Sequence, residues 1–241
     1  MNLPHEKCAK YYDYIFENRF GIAYHLLTAQ NIIEIERLVA GPSKILDFGA
    51  ATGRISIPLA EKKHEVTAVD QSQALLDVLI KKAKEKDLDI PVYCNIDEIQ
   101  KYDFDLALAI FTVLAYNLEN EKLEKIFKQI FDSLKPGGLF VFDLESRAGY
   151  DNICRNNNGN VSDSGNDLVK VNFKDNEPNL CEYHSKTNIP LPNGVFEKCE
   201  ENFTIRFWTE NEISKIYKAL GFTLVKTFNY MQATYYVVKK V

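Results

Sequence analysis

A basic excess is the first thing this chain lacks: 29 lysines and arginines stand against 34 acidic residues, a formal net charge of -5. A broad nucleic-acid surface needs the opposite balance, so the expected partner is a small molecule, with no nucleic acid. Long apolar runs are missing too. No segment approaches the roughly 20 residues that cross a bilayer, and residues Met1 to Lys7 carry no apolar run of the secretory kind, so the expectation is a cytoplasmic protein, monomeric or homodimeric, without a membrane partner. The five cysteines, Cys8, Cys94, Cys154, Cys181 and Cys199, show none of the short paired spacings of zinc or redox sites. They read as reduced structural thiols, with no metal. Histidine is scarce, four in all, which leaves few groups suited to proton transfer near neutral pH.

What the chain does have is a 46% hydrophobic content over 241 residues, enough for one sizeable core with an embellishment. Apolar runs of strand length, Ile45 to Phe48, Val66 to Val69, Pro91 to Cys94, Phe104 to Ile110 and Leu139 to Phe142, alternate with helical periodicity. Leu123, Ile126, Phe127, Ile130, Phe131 and Leu134 recur at the three-four spacing of one helical face. Such a β-α-β series winds by right-handed crossovers into a doubly covered sheet. Thr209 and Glu212 form a capping box for a late helix that stops at Gly221, and two strands follow, near Thr223 to Tyr230 and Thr234 to Val238.

The segment Ile45-Leu46-Asp47-Phe48-Gly49-Ala50-Ala51-Thr52-Gly53-Arg54, followed by Val66-Thr67-Ala68-Val69-Asp70, sets an acid at the tip of each of two strands with a turn of small residues between. Gly49, Ala50, Ala51 and Gly53 let the backbone approach a ligand, and a carboxylate at the second tip can accept from both ribose hydroxyls. This is a nucleoside cradle. Dinucleotide sites place glycines two and five residues after the first, where this chain has Ala51 and Arg54. A cofactor without pyrophosphate, S-adenosylmethionine, fits better, with Asp47 acting on its methionyl amine. Two alternatives stay open: a nicotinamide-dependent oxidoreductase, and a tight turn with no ligand.

A third segment, Leu134-Lys135-Pro136-Gly137-Gly138-Leu139-Phe140-Val141-Phe142-Asp143, resembles the corner before the fifth strand of class I S-adenosylmethionine-dependent methyltransferases. With the turn and Asp70, three motifs stand in that family's order, over about residues 44 to 143. The resemblance implies an α/β fold: a Rossmann-like seven-stranded methyltransferase sheet with helices on both faces, its last strand antiparallel between its neighbours. Around that core the patterning divides the chain into an N-terminal helical cap over 1–40, a binding core over 41–145, a small antiparallel β insertion after the fifth strand over 146–204, and a C-terminal completion of the core over 205–241. Cofactor contacts would come from the turn residues, Asp47, Asp70 and Gln71, from Asn95 and Ile96 at the adenine, and from Phe111 after the fourth strand. Tyr12 would cap the methionyl end, with Arg19 and Tyr24 as weaker candidates.

A sulfonium methyl is already electrophilic, so the enzyme need only align a nucleophile, exclude water and accept a proton where one must leave. Tyr116, in Ala115-Tyr116-Asn117, resembles a segment of bacterial sugar-amine N-methyltransferases, which favours nitrogen over oxygen as the acceptor atom. Tyr116, His184 and Tyr12 are the catalytic candidates; Tyr116 can equally be a core aromatic. Ser146 to Glu201 should form a lid over the sheet's carboxyl ends, with a turn-rich stretch from Asn156 to Asn166 and strands at Leu168 to Phe173, Leu180 to Lys186 and Val195 to Thr204. A regulatory protein that binds the cofactor without turnover is the alternative of a different class.

Overall fold

The computed structural model describes residues 3–99, 103–156, 160–163, 165–174 and 177–241. Five strands of the core come in chain order: β1 (Lys44–Phe48), β2 (Glu65–Val69), β3 (Val92–Tyr93), β4 (Phe104–Ala109) and β5 (Leu134–Glu145). Two more close the chain, β10 (Phe222–Tyr230) and β11 (Ala233–Lys240). They form one sheet in the order β10-β11-β5-β4-β1-β2-β3. β1 runs parallel to β2 and β4, whereas β11 is antiparallel to both β10 and β5. The strand order reverses between β1 and β4, and ligands of open α/β sheets bind beyond the carboxyl ends at that point.

Side chains of successive strand residues point to opposite faces, and both faces here are covered. Leu46 packs with α5 (Asn120–Ser133) and α7 (Glu210–Ala219), while its neighbour Ile45 packs with α2 (Ile22–Glu36), α3 (Ser56–Glu61) and α4 (Gln73–Glu85). The amphipathic pattern of α5 buries Leu123, Ile126, Phe127 and Ile130, and Phe127 meets Phe140 and Phe142 edge to face at 5.3 and 5.4 Å. Truncating such a ring to alanine costs about 3–5 kcal/mol. The capping box at Thr209 and Glu212 is formed at the start of α7.

After β5 come α6 (Arg147–Asn156) and a second antiparallel sheet, β6 (Asn160–Asp163), β7 (Asp167–Lys174), β8 (Glu177–Pro190) and β9 (Phe196–Arg206), in that spatial order. One expectation needs correction: part of the asparagine-rich stretch is strand. β6 pairs with β7 through its backbone, Asp163 opposite Leu168, and main-chain pairing needs no apolar alternation.

The N-terminal segment, a 3-10 turn leading into α1 (Tyr12–Phe20), lies against this second sheet. Arg19 forms a two-bond pair with Asp167, Nε to Oδ2 and Nη2 to Oδ1 at 2.9 Å each, and donates to Tyr183 Oη at 3.0 Å. Lys10 and Tyr11 both meet Glu197. Cys8 and Cys199 form a disulfide with Cα atoms 5.9 Å apart, so the reading of five reduced thiols is corrected to three, Cys94, Cys154 and Cys181. The partners are 191 residues apart in sequence, and only the docking of the cap on β9 brings them together.

The Arg19–Asp167 pair is almost fully buried, 3% and 0% exposed. Breaking a buried pair strands one charge, whereas replacing both partners by apolar residues does not. Asp167→Asn is therefore expected to cost about 3–5 kcal/mol in urea denaturation, and Arg19→Met with Asp167→Leu to recover most of that loss.

Candidate active site

The chain leaves β1 through a turn fixed by its own backbone. Gly49 and Ala50 donate to the Val69 carbonyl at 2.8 and 3.0 Å. Gly49 (φ +83°) and Gly53 (φ +86°) are required here: a Cβ on Gly49 would collide with Val113, and one on Gly53 would sit 2.9 Å from Leu79 Cγ. Both glycines thus admit close packing of the chain's own side chains under the turn.

Asp70, at the tip of β2, accepts the Ala51 N–H on Oδ2 and the Ser72 N–H on Oδ1, each at 2.9 Å. Each oxygen keeps a lone pair, and burial raises its proton affinity against the pull of those two amides. Asp47 is arranged differently. It is 3% exposed and takes a 2.5 Å hydrogen bond from Ser56 Oγ on Oδ2. Burial pushes its pKa to about 6 against the opposing influence of Ser56 and Arg54. In this geometry Asp47 holds the start of α3 under the turn, and the group presented at the crest is Arg54, a residue the motif reading used only to exclude dinucleotides. Its guanidinium lies 4.7 Å from the Phe111 ring and 5.7 Å from that of Tyr24.

The cap roofs the crest. Thr52 Oγ1 donates to Asp13 at 2.6 Å, and Lys82 reaches the same carboxylate at 2.7 Å. Tyr12, Phe16 and Tyr24 cluster there, with Phe16 edge-on to Phe111 at 5.4 Å. Tyr24 Oη is buried without a hydrogen-bond partner. Phe111 and Thr112 have φ values of +74° and +65°, a costly backbone for non-glycine residues that persists only where surroundings impose it. Here the surroundings include Asp143 on β5, buried with its pKa raised to about 6, which accepts the Thr112 N–H at 3.2 Å.

The remaining candidates separate. Gln71 is exposed at the crest beside Asp70. Asn95 caps a 3-10 turn through its side chain, and Ile96 is in the core at 2% exposure. Arg19 is engaged with the insertion, as described, rather than with the crest. His184 lies on the outer face of β8 with Asn202 and Glu200 as partners; strand alternation turns it outward and its neighbour Tyr183 inward. His184 is thus set apart from Tyr116 and Tyr12. The histidine that does reach the aromatic cluster is His5. Its Nδ1 lies 2.9 Å from Glu201 Oε2, its Nε2 lies 2.9 Å from Tyr116 Oη, and its ring meets those of Tyr12, Phe16, Tyr116 and Phe203. No local pattern in the sequence announces it.

The sequence profile of a methyltransferase domain matches residues 45–138, the span that builds the crest. That span is a methyltransferase domain. A Geobacillus protein designated a methyltransferase is 28% identical over 153 residues, 63% of this chain, and the match spans 61% of that relative's length. The crystal structure of an S-adenosylmethionine-dependent methyltransferase from Clostridium acetobutylicum superposes with a TM-score of 0.76 at 21% identity over 98% of both chains. That of the sugar N-methyltransferase KedS8 from Streptoalloteichus gives 0.69 at 14% identity, over 95% of this chain and 92% of the other. The residues present fit S-adenosylmethionine: a strand-tip carboxylate with free lone pairs, a guanidinium over the Phe111 and Tyr24 rings, and the orphaned Tyr24 phenol.

Two outcomes follow from the electrostatics. Asp70→Ala is expected to weaken S-adenosylmethionine binding by at least about tenfold in calorimetric titration, since hydrogen bonds to a charged acceptor contribute about 1.5–3 kcal/mol. Asp47 and Asp143 bind their protons more tightly when folded, about 6 against an ordinary 3.8. The folded state therefore carries more protons between those values, so the stability they contribute is complete below about pH 4 and is lost as pH rises through 6. Replacing both by asparagine is expected to flatten that limb of the unfolding free energy, measured by urea denaturation from pH 4 to 7.

Proposed function

We propose that this chain transfers a methyl group from S-adenosylmethionine to a nitrogen or oxygen of a small-molecule acceptor seated between the sheet's crest and the β7–β9 face of the insertion. When bound, the cofactor supplies an electrophilic methyl on a sulfonium. Asp70 would hold the ribose hydroxyls, Arg54 and the Tyr24 hydroxyl the methionyl carboxylate, and Tyr12 with Phe111 would cover the methionyl chain. Gln71 and Asn95 are the polar groups next along the crest toward the adenine.

The observation that carries this reading is the buried line Glu201–His5–Tyr116 beside the crest. A carboxylate on Nδ1 selects the tautomer whose Nε2 accepts from Tyr116, so the phenol is held in one orientation. Burial raises the Tyr116 pKa, which keeps its hydroxyl neutral. A fixed hydroxyl among aromatic rings orients an acceptor and excludes water, which is what an in-line displacement requires. The enclosure suits a small acceptor, as does the fold shared with a sugar N-methyltransferase.

Titration with S-adenosylmethionine, followed by incubation with pools of amines, phenols and carboxylates and mass spectrometry for methyl addition, tests the proposal. Binding and product in at least one pool are expected. Binding with no product in any pool would return the protein to a regulatory role. His5→Gln is expected to lower kcat by about 100-fold while leaving cofactor affinity within about twofold, because it releases Tyr116 while Asp70 keeps its two backbone amides.

A further inference from the structure

β5 carries two acids on the same face at its carboxyl end, Asp143 and Glu145. Asp143 is used by the backbone of the loop after β4. Glu145 is not accounted for in that way. It has a hydrogen bond from the Tyr150 hydroxyl of α6, but its Oε2 is buried and has no hydrogen-bond partner. The neighbouring charge that acts on it, Asp143, has its own sign. Around it stand rings from three further elements: Tyr116, Tyr150 and Tyr183, all within its electrostatic reach. Phe203 stacks on Tyr183 at 4.7 Å and lies edge-on to Tyr116 at 5.5 Å, and Phe207 backs Tyr150 at 5.0 Å.

A carboxylate oxygen buried among aromatic rings without a donor is a costly arrangement for the free protein. A cation relieves it. An ammonium brings charge and N–H donors to the carboxylate, and its flanks meet the negative faces of the rings; a neutral alcohol or phenol brings one donor and no charge.

We infer that Glu145 is the anchor for a protonated amine, which makes the acceptor an aliphatic amine methylated on nitrogen. This rests on the methyl-transfer reading above and narrows it. The chemistry balances. One ammonium proton passes to Glu145 Oε2 and frees the nitrogen lone pair; the nitrogen then forms its bond to the methyl carbon as the carbon–sulfur bond breaks, its electron pair staying on sulfur. The product leaves as the methylated ammonium, and the Glu145 proton goes to solvent. Burial pushes the Glu145 carboxyl up to about 7, close to the range in which a carboxylate exchanges protons at neutral pH.

The test uses the full chain saturated with S-adenosylhomocysteine, so that no turnover occurs, and titrates matched pairs: benzylamine against benzyl alcohol, and methyl 6-amino-6-deoxyglucoside against methyl glucoside. At least one amine is expected to bind about tenfold or more tightly than its alcohol. Glu145→Gln is expected to abolish that preference with S-adenosylhomocysteine affinity within about twofold of wild type. Amines that bind no better than their alcohols, or fail to bind at all, overturn the inference without any variant, so a misfolded Glu145→Gln does not protect it. A preference that survives in a folded Glu145→Gln also overturns it. Failure of S-adenosylhomocysteine itself to bind sinks the methyl-transfer reading instead, and product in the phenol pool alone keeps that reading while removing the amine.

Discussion

The site depends on one constraint: the Asp70 carboxylate is held by two backbone amides from different segments, Ala51 in the turn after β1 and Ser72 at the start of α4. The turn is therefore tied to β2 through Asp70 below and through the Val69 carbonyl above. A side-chain carboxylate anchored to the main chain loses little further freedom when a ligand arrives, which is the physical content of a preformed site. The packing follows. Val113 and Leu79 can approach the turn only because Gly49 and Gly53 lack a Cβ, and Val113 brings with it the loop that carries Phe111 and Tyr116.

A second constraint comes from the N-terminal segment. Its residues lie between crest and insertion and are pinned to both: Asp13 to Thr52 and Lys82 on the core side, Arg19 to Asp167 and Cys8 to Cys199 on the other. His5 reaches the centre because the chain around it is held in this way. Its own φ of +65° is a conformation that a bare terminus has no reason to adopt. Cap, core and insertion are thus interdependent in the region where an acceptor would sit.

The core was legible because its signals are local and repeat. Strand runs from Ile45 to Phe142, the α5 stripe and the capping box at Thr209 each depend on neighbours within a few positions, and each element formed close to where its pattern stood. The place of Asp70 at a strand tip was legible for the same reason, as the end of a strand is visible in one dimension. The cluster beside it was not. His5, Glu201 and Tyr116 meet across separations of 196 and 111 residues, and nothing in the text of Pro4-His5-Glu6 distinguishes a site histidine from a surface one. His184 misled for a related reason: an alternating strand offers two faces, and the sequence alone did not say that Tyr183, one residue away, would take the inner one. Arg19 and the cysteines were read from type and spacing, whereas their partners were chosen by the docking of the cap.

Charge links the two halves of the site. Asp47, Asp70, Asp143 and Glu145 all stand at the carboxyl ends of β1, β2 and β5, and burial raises the proton affinity of each. Arg54 is the cation that acts on Asp47 and Asp143. A region with this balance is electrically incomplete and favours positive ligands, since every buried carboxylate gains when a cation approaches. Under the proposed chemistry the sulfonium centre and the ammonium are both positive, so both would be drawn to the same end of the sheet, yet they would repel one another if both stayed charged. Proton loss from the amine removes that repulsion and supplies the lone pair in a single event. After transfer the positive charge resides on the methylated nitrogen and the sulfur is neutral, so the field that gathered the cofactor holds its product less strongly. Under that chemistry an acidic crest bearing Arg54 would favour both the encounter and the exchange of spent cofactor for fresh.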